Sequence, residues 1–290
     1  MAVYKRTYKA YHGQLTPAWS RFTVLSRYGF ARLFASRMFT AFTVLCFVPF
    51  IIGLLFIYFL HSSMAQVLLG MQMSTALQVN NVWFSVFLGL QAWLGFMLAA
   101  WCAPGMMSTD FANNALQLYL SRPLSRPEYL LGKVSVLVAL LSCVSWVPAL
   151  ILFFLQASME GHGWLFENLW LAGAIVTSAL LWIAVVALLG LATSVLVKWR
   201  IAATALMLAI FFMLPGFGVA MDLILHTRWG QLFNLTYVLA RLWASLLRIP
   251  PPHGGRLEPV PLWSAWATVF FVCAVSLWIL NRRLKAREVE

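Results

Sequence analysis

Charged residues are scarce in this chain. Only 10% of its 290 residues are Asp, Glu, Lys or Arg, whereas 62% are hydrophobic. An ordinary soluble domain carries about a quarter charged residues. The chain therefore has too little polar side-chain surface to stay in water, which excludes a soluble globular protein and indicates a membrane protein.

The sequence also lacks the motifs of catalysis, metal binding and nucleotide binding. It has no H-E-x-x-H or G-x-S-x-G pattern, and no G-x-x-x-x-G-K-[ST] loop that would cradle a phosphate. We therefore expect no enzyme activity, no cofactor and no metal in this chain. The four cysteines show no metal-ligand spacing and are expected to be small packing residues at Cys46, Cys102, Cys143 and Cys273.

Long apolar runs are what the chain does contain. Six of them are dense enough to cross a bilayer, which takes roughly 20 apolar residues per helix. The predicted spans are 39–60, 82–103, 134–156, 169–197, 201–221 and 262–281. Together they predict an all-α polytopic membrane protein: a cytoplasmic N-terminal region at 1–38, one six-helix transmembrane domain at 39–281 and a basic tail at 282–290.

The positive charges are distributed unevenly between the two predicted sides. With the N-terminus inside, 16 of the 20 Lys and Arg residues fall on the inner side, as the positive-inside rule requires. Both termini are therefore predicted to be cytoplasmic, in an inner membrane. A net charge of +12 then indicates contact with anionic lipid rather than with nucleic acid, for which no recognition motif is present.

Two amphipathic segments flank the first two spans on the inner side. The first begins with Thr16 and Pro17 as helix cap and first turn and continues to about Arg37, with one apolar face that suits a helix lying in the interface. It either anchors the first span or contacts a partner. The second begins at Ser108, Thr109 or Asp110 and continues to Ser121, with an apolar face and a polar face of amides and a hydroxyl. Such a polar face could be covered by another protein without burying unpaired ions.

The end of the second amphipathic helix is specified twice. Pro123 disfavours helical geometry in the residue before it, and Ser125 with Glu128 forms a capping box that starts the third span. The helix is therefore predicted to be a discrete unit between the second and third spans. A lipid-lying connector without a partner is the alternative.

At these residues the chain resembles a known family. The segment NNALQLYLSRPLSRPEYLLGK, with its Leu-Tyr-Leu-Ser-Arg-Pro-Leu-Ser-Arg run and a Gly-Lys pair entering the third span, is similar to the permease subunits of ABC transporters of the ABC-2 type. The match is specific in this segment and architectural elsewhere. Its positions here are Leu118, Tyr119, Leu120, Ser121, Pro123, Leu124, Ser125, Arg126, Tyr129, Leu130, Gly132 and Lys133.

The resemblance implies that the helix is a coupling helix seated in a separate ATPase subunit. It further implies two ATPase copies, which use ATP and Mg²⁺, a second permease copy or paralogue, and export as the direction of transport. Residues implied in coupling are Asp110, Asn113, Asn114, Gln117, Tyr119, Ser121, Arg122 and Arg126, and those that start the third span are Ser125, Glu128, Gly132 and Lys133.

On the predicted outer side, residues 229–249 would form a helix with one narrow polar stripe and an otherwise apolar surface. This pattern predicts an amphipathic or re-entrant helix before the last span, where Arg241 either contacts a substrate or snorkels. Further weak candidates for a pathway or gate are Gln91, Pro215 and Asp222. Asp222 lies at a predicted helix end, where it either has a function or is simply solvated.

The absence of a central intramembrane carboxylate favours an amphipathic or lipid-like substrate over a bare ion. A secondary transporter is the main alternative to an ATP-driven one, although neither internal duplication nor paired broken helices are visible. An ATPase-independent membrane protein of unknown substrate also remains open.

Overall fold

The computed structural model describes residues 20–62, 78–113, 125–251 and 259–286. Within these ranges the chain is all-helical and has no strand. The α-helices are α1 (Arg21–Phe34), α2 (Arg37–Leu45), α3 (Val48–His61), α4 (Asn81–Ala112), α5 (Arg126–Val144), α6 (Trp146–Glu160), α7 (His162–Leu196), α8 (Arg200–Leu225), α9 (Leu235–Leu246) and α10 (Leu262–Ala286).

Six helical segments of the described chain are long and apolar enough to span a membrane, as the sequence predicted. Their bounds are Arg37–His61, Asn81–Ala112, Arg126–Glu160, Gly163–Leu196, Arg200–Leu225 and Leu262–Lys285. Five predicted runs lie inside these bounds, and the fourth exceeds its segment by one residue. The protein is therefore a multi-pass membrane protein with six candidate transmembrane segments.

The first and third segments are each interrupted, which the sequence analysis missed. Helix α2 ends at Leu45 and α3 has Pro49 in its first turn. Helix α5 ends at Val144 and Pro148 lies in the first turn of α6. In both cases the proline has no N–H to donate to the carbonyl four residues earlier, which is the last residue of the preceding helix.

The third and fourth segments are joined by a single residue. Helix α6 ends at Glu160 and α7 begins at His162, so that Gly161 alone makes the turn. Its φ of 97° is a backbone conformation that glycine adopts without the steric cost that a Cβ would add.

Helix α7 lies at the centre of the bundle. It contacts α4, α5, α6, α8, α9 and α10, and its spanning segment is the most buried of the six. The segment of α8 is the least buried of the six and exposes large apolar side chains such as Met213, Phe217 and Ile224. The core therefore forms around α7, whereas much of α8 is left for lipid or another chain.

Two details of the sequence analysis are wrong. Residues 229–249 do not form one helix: a short 3-10 helix (Trp229–Phe233) ends before α9, and the Asn234 side chain caps α9 by accepting from Tyr237 N–H at 3.1 Å. Asn234 thus begins a new helix instead of extending a polar stripe. Cys143 is exposed and is not the packing residue that we expected.

Candidate functional site

The predicted discrete helix does not begin where the sequence analysis placed it. Helix α4 runs without a break through the expected start and ends at Ala112. The hydroxyls of Ser108 and Thr109 donate to carbonyls four residues earlier, at 2.6 and 2.8 Å. They are therefore satisfied inside the helix and do not cap a new one, which corrects the predicted start at 108–110.

Asp110 is buried and ion-paired. Its side chain contacts Lys133 near the start of α5, with Nζ 2.7 Å from Oδ2. The Tyr129 hydroxyl donates to the same oxygen at 2.8 Å. Lys133 Nζ also donates to Met106 O at 3.0 Å. Asp110 is only 6% exposed, and in this structure it joins α4 to α5.

The start of the third span has the predicted capping box. Ser125 N–H donates to Glu128 Oε2 at 2.6 Å, and α5 begins at the next residue. Pro127 occupies the first turn, where its missing N–H costs nothing. The segment 114–124 therefore leaves from the end of α4 and returns at a defined helix start.

Helix α1 packs against this start. At Gly132 an added Cβ would lie 2.8 Å from Leu25 Cβ, so the two helices approach closely there. The hydroxyls of Ser26 and Ser135 are 2.6 Å apart, and Arg32 Nη2 donates to Thr109 Oγ1 at 3.5 Å. Helix α1 thus contacts both α5 and α4, the two helices that carry the ends of 114–124.

Helix α4 contains a proline six residues before Asp110. Pro104 lies inside α4 and has no N–H for Ala100 O; Thr204 Oγ1 of α8 approaches that carbonyl at 3.5 Å. Ser194 Oγ of α7 donates to Pro104 O at 2.6 Å and accepts from Met107 N–H at 3.0 Å and Ser108 N–H at 2.8 Å. These three bonds tie the Pro104 turn of α4 to α7.

The structure brings Asp110 of the predicted coupling set next to the residues that were predicted to start the third span. We name the cluster of Asp110, Ser125, Glu128, Gly132 and Lys133 the α4–α5 root. Asn113 is exposed at the end of α4, and Arg126 opens α5. The predicted coupling residues that lie outside the described residues are Asn114, Gln117, Tyr119, Ser121 and Arg122.

The weak pathway candidates do not form one cluster. Gln91 is fully buried in the middle of α4, and neither its side-chain oxygen nor its nitrogen has a hydrogen-bond partner. Pro215 lies within α8, which continues past it. Asp222 is buried and accepts from Gly230 N–H at 2.6 Å, so the solvated alternative is wrong. Arg241 Nε donates to Val260 O at 3.3 Å.

A cavity of about 400 Å³ lies between α4, α7, α8 and α9, and no charged residue is among its lining residues. Aromatic rings dominate its wall, among them Trp93, Phe96, Trp182, Phe211 and Trp243. Sequence reasoning missed this cavity because its wall is assembled from four separate helices. Tyr129 was named only as a position of the family resemblance, and its bond to Asp110 was not predicted.

No family model matches the chain, and a search of curated proteins found no match.

Proposed function

We propose that this chain is the membrane-spanning permease subunit of an ATP-driven transporter of the ABC-2 type. Segment 114–124, between α4 and α5, is the part that docks on a separate ATPase. The observation that carries the proposal is the α4–α5 root. A segment whose sequence resembles a coupling helix emerges from two helices that a buried ion pair holds together.

The root suits a mechanical role because of what it connects. Segment 114–124 connects α4 to α5 along the chain, and the Asp110–Lys133 ion pair, with Nζ 2.7 Å from Oδ2, joins these two helices to each other. Helix α1 contacts both helices, and Ser194 ties α4 to the central helix α7. Packed elements of this kind move as rigid bodies, so a displacement of 114–124 would be passed to the bundle.

In this mechanism the chemistry belongs to the partner. Two ATPase subunits bind ATP and Mg²⁺, and their closure displaces two docked segments, one in each permease copy. The permease pair then changes between inward-facing and outward-facing arrangements and exports its substrate from an inner membrane, with both termini in the cytoplasm. The uncharged, aromatic-lined cavity of about 400 Å³ favours an amphipathic or lipid-like substrate.

The test replaces the polar face of the docking segment. Asn113, Asn114 and Gln117 are changed together to Lys, and the protein is purified from its native membrane in mild detergent. We expect the original chain to carry a P-loop ATPase and Mg²⁺-dependent ATP hydrolysis, and the triple variant to lose at least nine-tenths of both. We expect this loss because the added Lys charges would have to be buried without partners at the interface with the ATPase.

The matched control is Glu167→Lys, because Glu167 is exposed at the other end of the bundle. It should retain the ATPase. If the original chain carries no ATPase but still transports a substrate in vesicles, the secondary-transporter alternative holds. If the triple variant retains the ATPase, the docking segment lies elsewhere.

A further inference from the structure

A second cavity lies at the opposite end of the bundle from the α4–α5 root. Its volume is about 440 Å³, and its wall is formed by the ends of α3, α4, α6 and the start of α7. Unlike the apolar cavity, it is lined largely by polar side chains, including His61, Gln156, Glu160 and Asn168. A polar cavity of this size beside apolar helices has a cost unless something hydrogen-bonds to its wall.

One polar atom of this wall is buried and unsatisfied. Gln156 is 2% exposed, and its Oε1 has no hydrogen-bond partner. Its other amide atom, Nε2, donates to Glu160 Oε1 at 3.2 Å. A buried acceptor without a partner costs about 1–3 kcal/mol, so an unpaired carbonyl at a cavity wall is suited to a ligand that donates.

Three side chains of the wall already use N–H groups or ring nitrogens in contacts within the protein. The two ring nitrogens of His61 face Ile57 O at 2.9 Å and Glu160 Oε1 at 3.3 Å. Asn168 Nδ2 donates to Trp164 O at 3.0 Å, and Asn81 Nδ2 donates to Leu247 O at 2.9 Å. The lining residues also include one carboxylate, Glu160, and no Lys or Arg, so the wall favours a cationic ligand over an anionic one.

The acceptors remain. Besides Gln156 Oε1, the described residues give no hydrogen bond to Glu160 Oε2 or to Asn168 Oδ1. A primary ammonium group has three N–H donors and no acceptor, which suits a wall with open acceptor oxygens. A carboxylate among them makes one of the bonds charge-assisted, and such bonds are about twice as strong as neutral ones.

The aromatic part of the wall also suits a cation. Trp164 and Trp170 line the cavity, and the Arg248 guanidinium already lies 4.3 Å from the centre of the Trp170 ring. Indole faces attract cations. Because Arg248 already lies over the Trp170 ring, the wall offers an ammonium group the open oxygens, one carboxylate and the indole ring of Trp164.

We propose that this cavity binds a primary ammonium group, either of a small free amine or of an aminoethyl lipid headgroup. The site does not depend on ATP-driven transport, so each proposal can fail without the other. Glu160 and Gln156 are the residues that would hold the ammonium.

The experiment titrates ethanolamine and choline onto the full chain in phosphatidylcholine nanodiscs by calorimetry. Ethanolamine should bind once per chain. Choline has a quaternary nitrogen without N–H donors and should bind at least tenfold more weakly. Glu160→Gln should weaken ethanolamine binding at least tenfold and Gln156→Leu at least threefold. Glu167→Gln, on an exposed residue of α7 that is not among the lining residues, should leave it unchanged.

Replacing part of the phosphatidylcholine by phosphatidylethanolamine separates the two sources. Competition with ethanolamine identifies the lipid headgroup as the ligand, and its absence identifies a free amine. Equal binding of choline and ethanolamine would overturn the proposal, because the indole rings would then carry it without the oxygens. No binding of either probe to the intact chain would also overturn it. Thermal melting of each variant shows whether it is folded. If Glu160→Gln does not fold, Gln156→Leu tests the proposal in its place.

Discussion

Lys133 Nζ lies 2.7 Å from Asp110 Oδ2, so that one ion pair joins the end of α4 to the start of α5. Both side chains are largely buried, at 12% and 8% exposed. Removing one partner of a buried pair costs about 3–5 kcal/mol, because the other charge is left without compensation. The α4–α5 root is therefore sensitive to single substitutions.

Lys133→Met should accordingly lower the free energy of unfolding by about 3–5 kcal/mol, since Asp110 would stay buried without its cation. The double variant Asp110→Asn, Lys133→Met removes both charges and should be less destabilised than Lys133→Met alone. Denaturant titration of the detergent-solubilised protein measures both.

The control for this pair is Lys198→Met, because Lys198 is exposed and surface substitutions usually change stability by less than about 0.5 kcal/mol. A double variant as unstable as the single one would show that Asp110 and Lys133 do not depend on each other.

Ser194→Ala should destabilise the protein by about 1–3 kcal/mol. The substitution removes the oxygen that accepts from Met107 and Ser108 N–H and the donor to Pro104 O. Thr193→Val is the matched control, because the Thr193 hydroxyl is equally buried but donates only to Gly190 O of its own helix. The tie between α4 and α7 is contradicted if the two variants unfold at the same denaturant concentration.

Gly218→Ala should be destabilising by about 1–3 kcal/mol. A Cβ at Gly218 would collide with the carbonyl oxygen of Gly230, whereas a Cβ at Gly216 meets nothing within 4 Å. Both glycines lie in α8, so the gain in helix propensity from alanine is the same at both. Gly216→Ala should thus be neutral or stabilising, and thermal melting of the two variants compares them directly. Equal melting temperatures would show that the 3-10 helix does not pack on α8 as closely as the structure has it.

Ser26→Cys with Ser135→Cys should form a disulfide under mild oxidation, in a background without the four native cysteines. The two hydroxyl oxygens are 2.6 Å apart, which is compatible with the Cβ separation that a disulfide needs. Non-reducing gel electrophoresis after cleavage between the two positions detects the link. Thr23→Cys with Ser135→Cys should remain unlinked because Thr23 is exposed. Failure of the first pair to link would mean that α1 lies away from α5, as a free interfacial helix would.

The sequence predicted the spans well because hydropathy accumulates over about 20 residues. Features that depend on single residues were harder to predict from the sequence. Leu45 and Val144 end helices because prolines follow four residues later. The prolines are visible in the sequence, but the uniformly apolar composition of each run predicts one uninterrupted helix. The capping box at Ser125 and Glu128 was predictable because both partners lie within one helical turn.

Asp110 could not be placed from the sequence. A carboxylate after a span resembles a helix cap when only its neighbours are considered, and its burial depends on Lys133 and Tyr129 in the next helix. The prediction for Asn234 was wrong for a similar reason. Asn234 lies on the polar stripe of the single helix predicted for 229–249, yet its side chain caps the start of α9. In both cases a polar side chain bonds to a backbone N–H or to a residue of another helix, and hydrophobic periodicity gives no information on such bonds.

The single-residue turn at Gly161 has a consequence for how the bundle can rearrange. Only one residue lies between Glu160 and His162. The connection is therefore too short for α6 and α7 to slide or separate at that end. The two helices must travel as one hairpin. Any rearrangement of the bundle then has to occur where α3, α4, α5, α8, α9 and α10 contact this pair of helices.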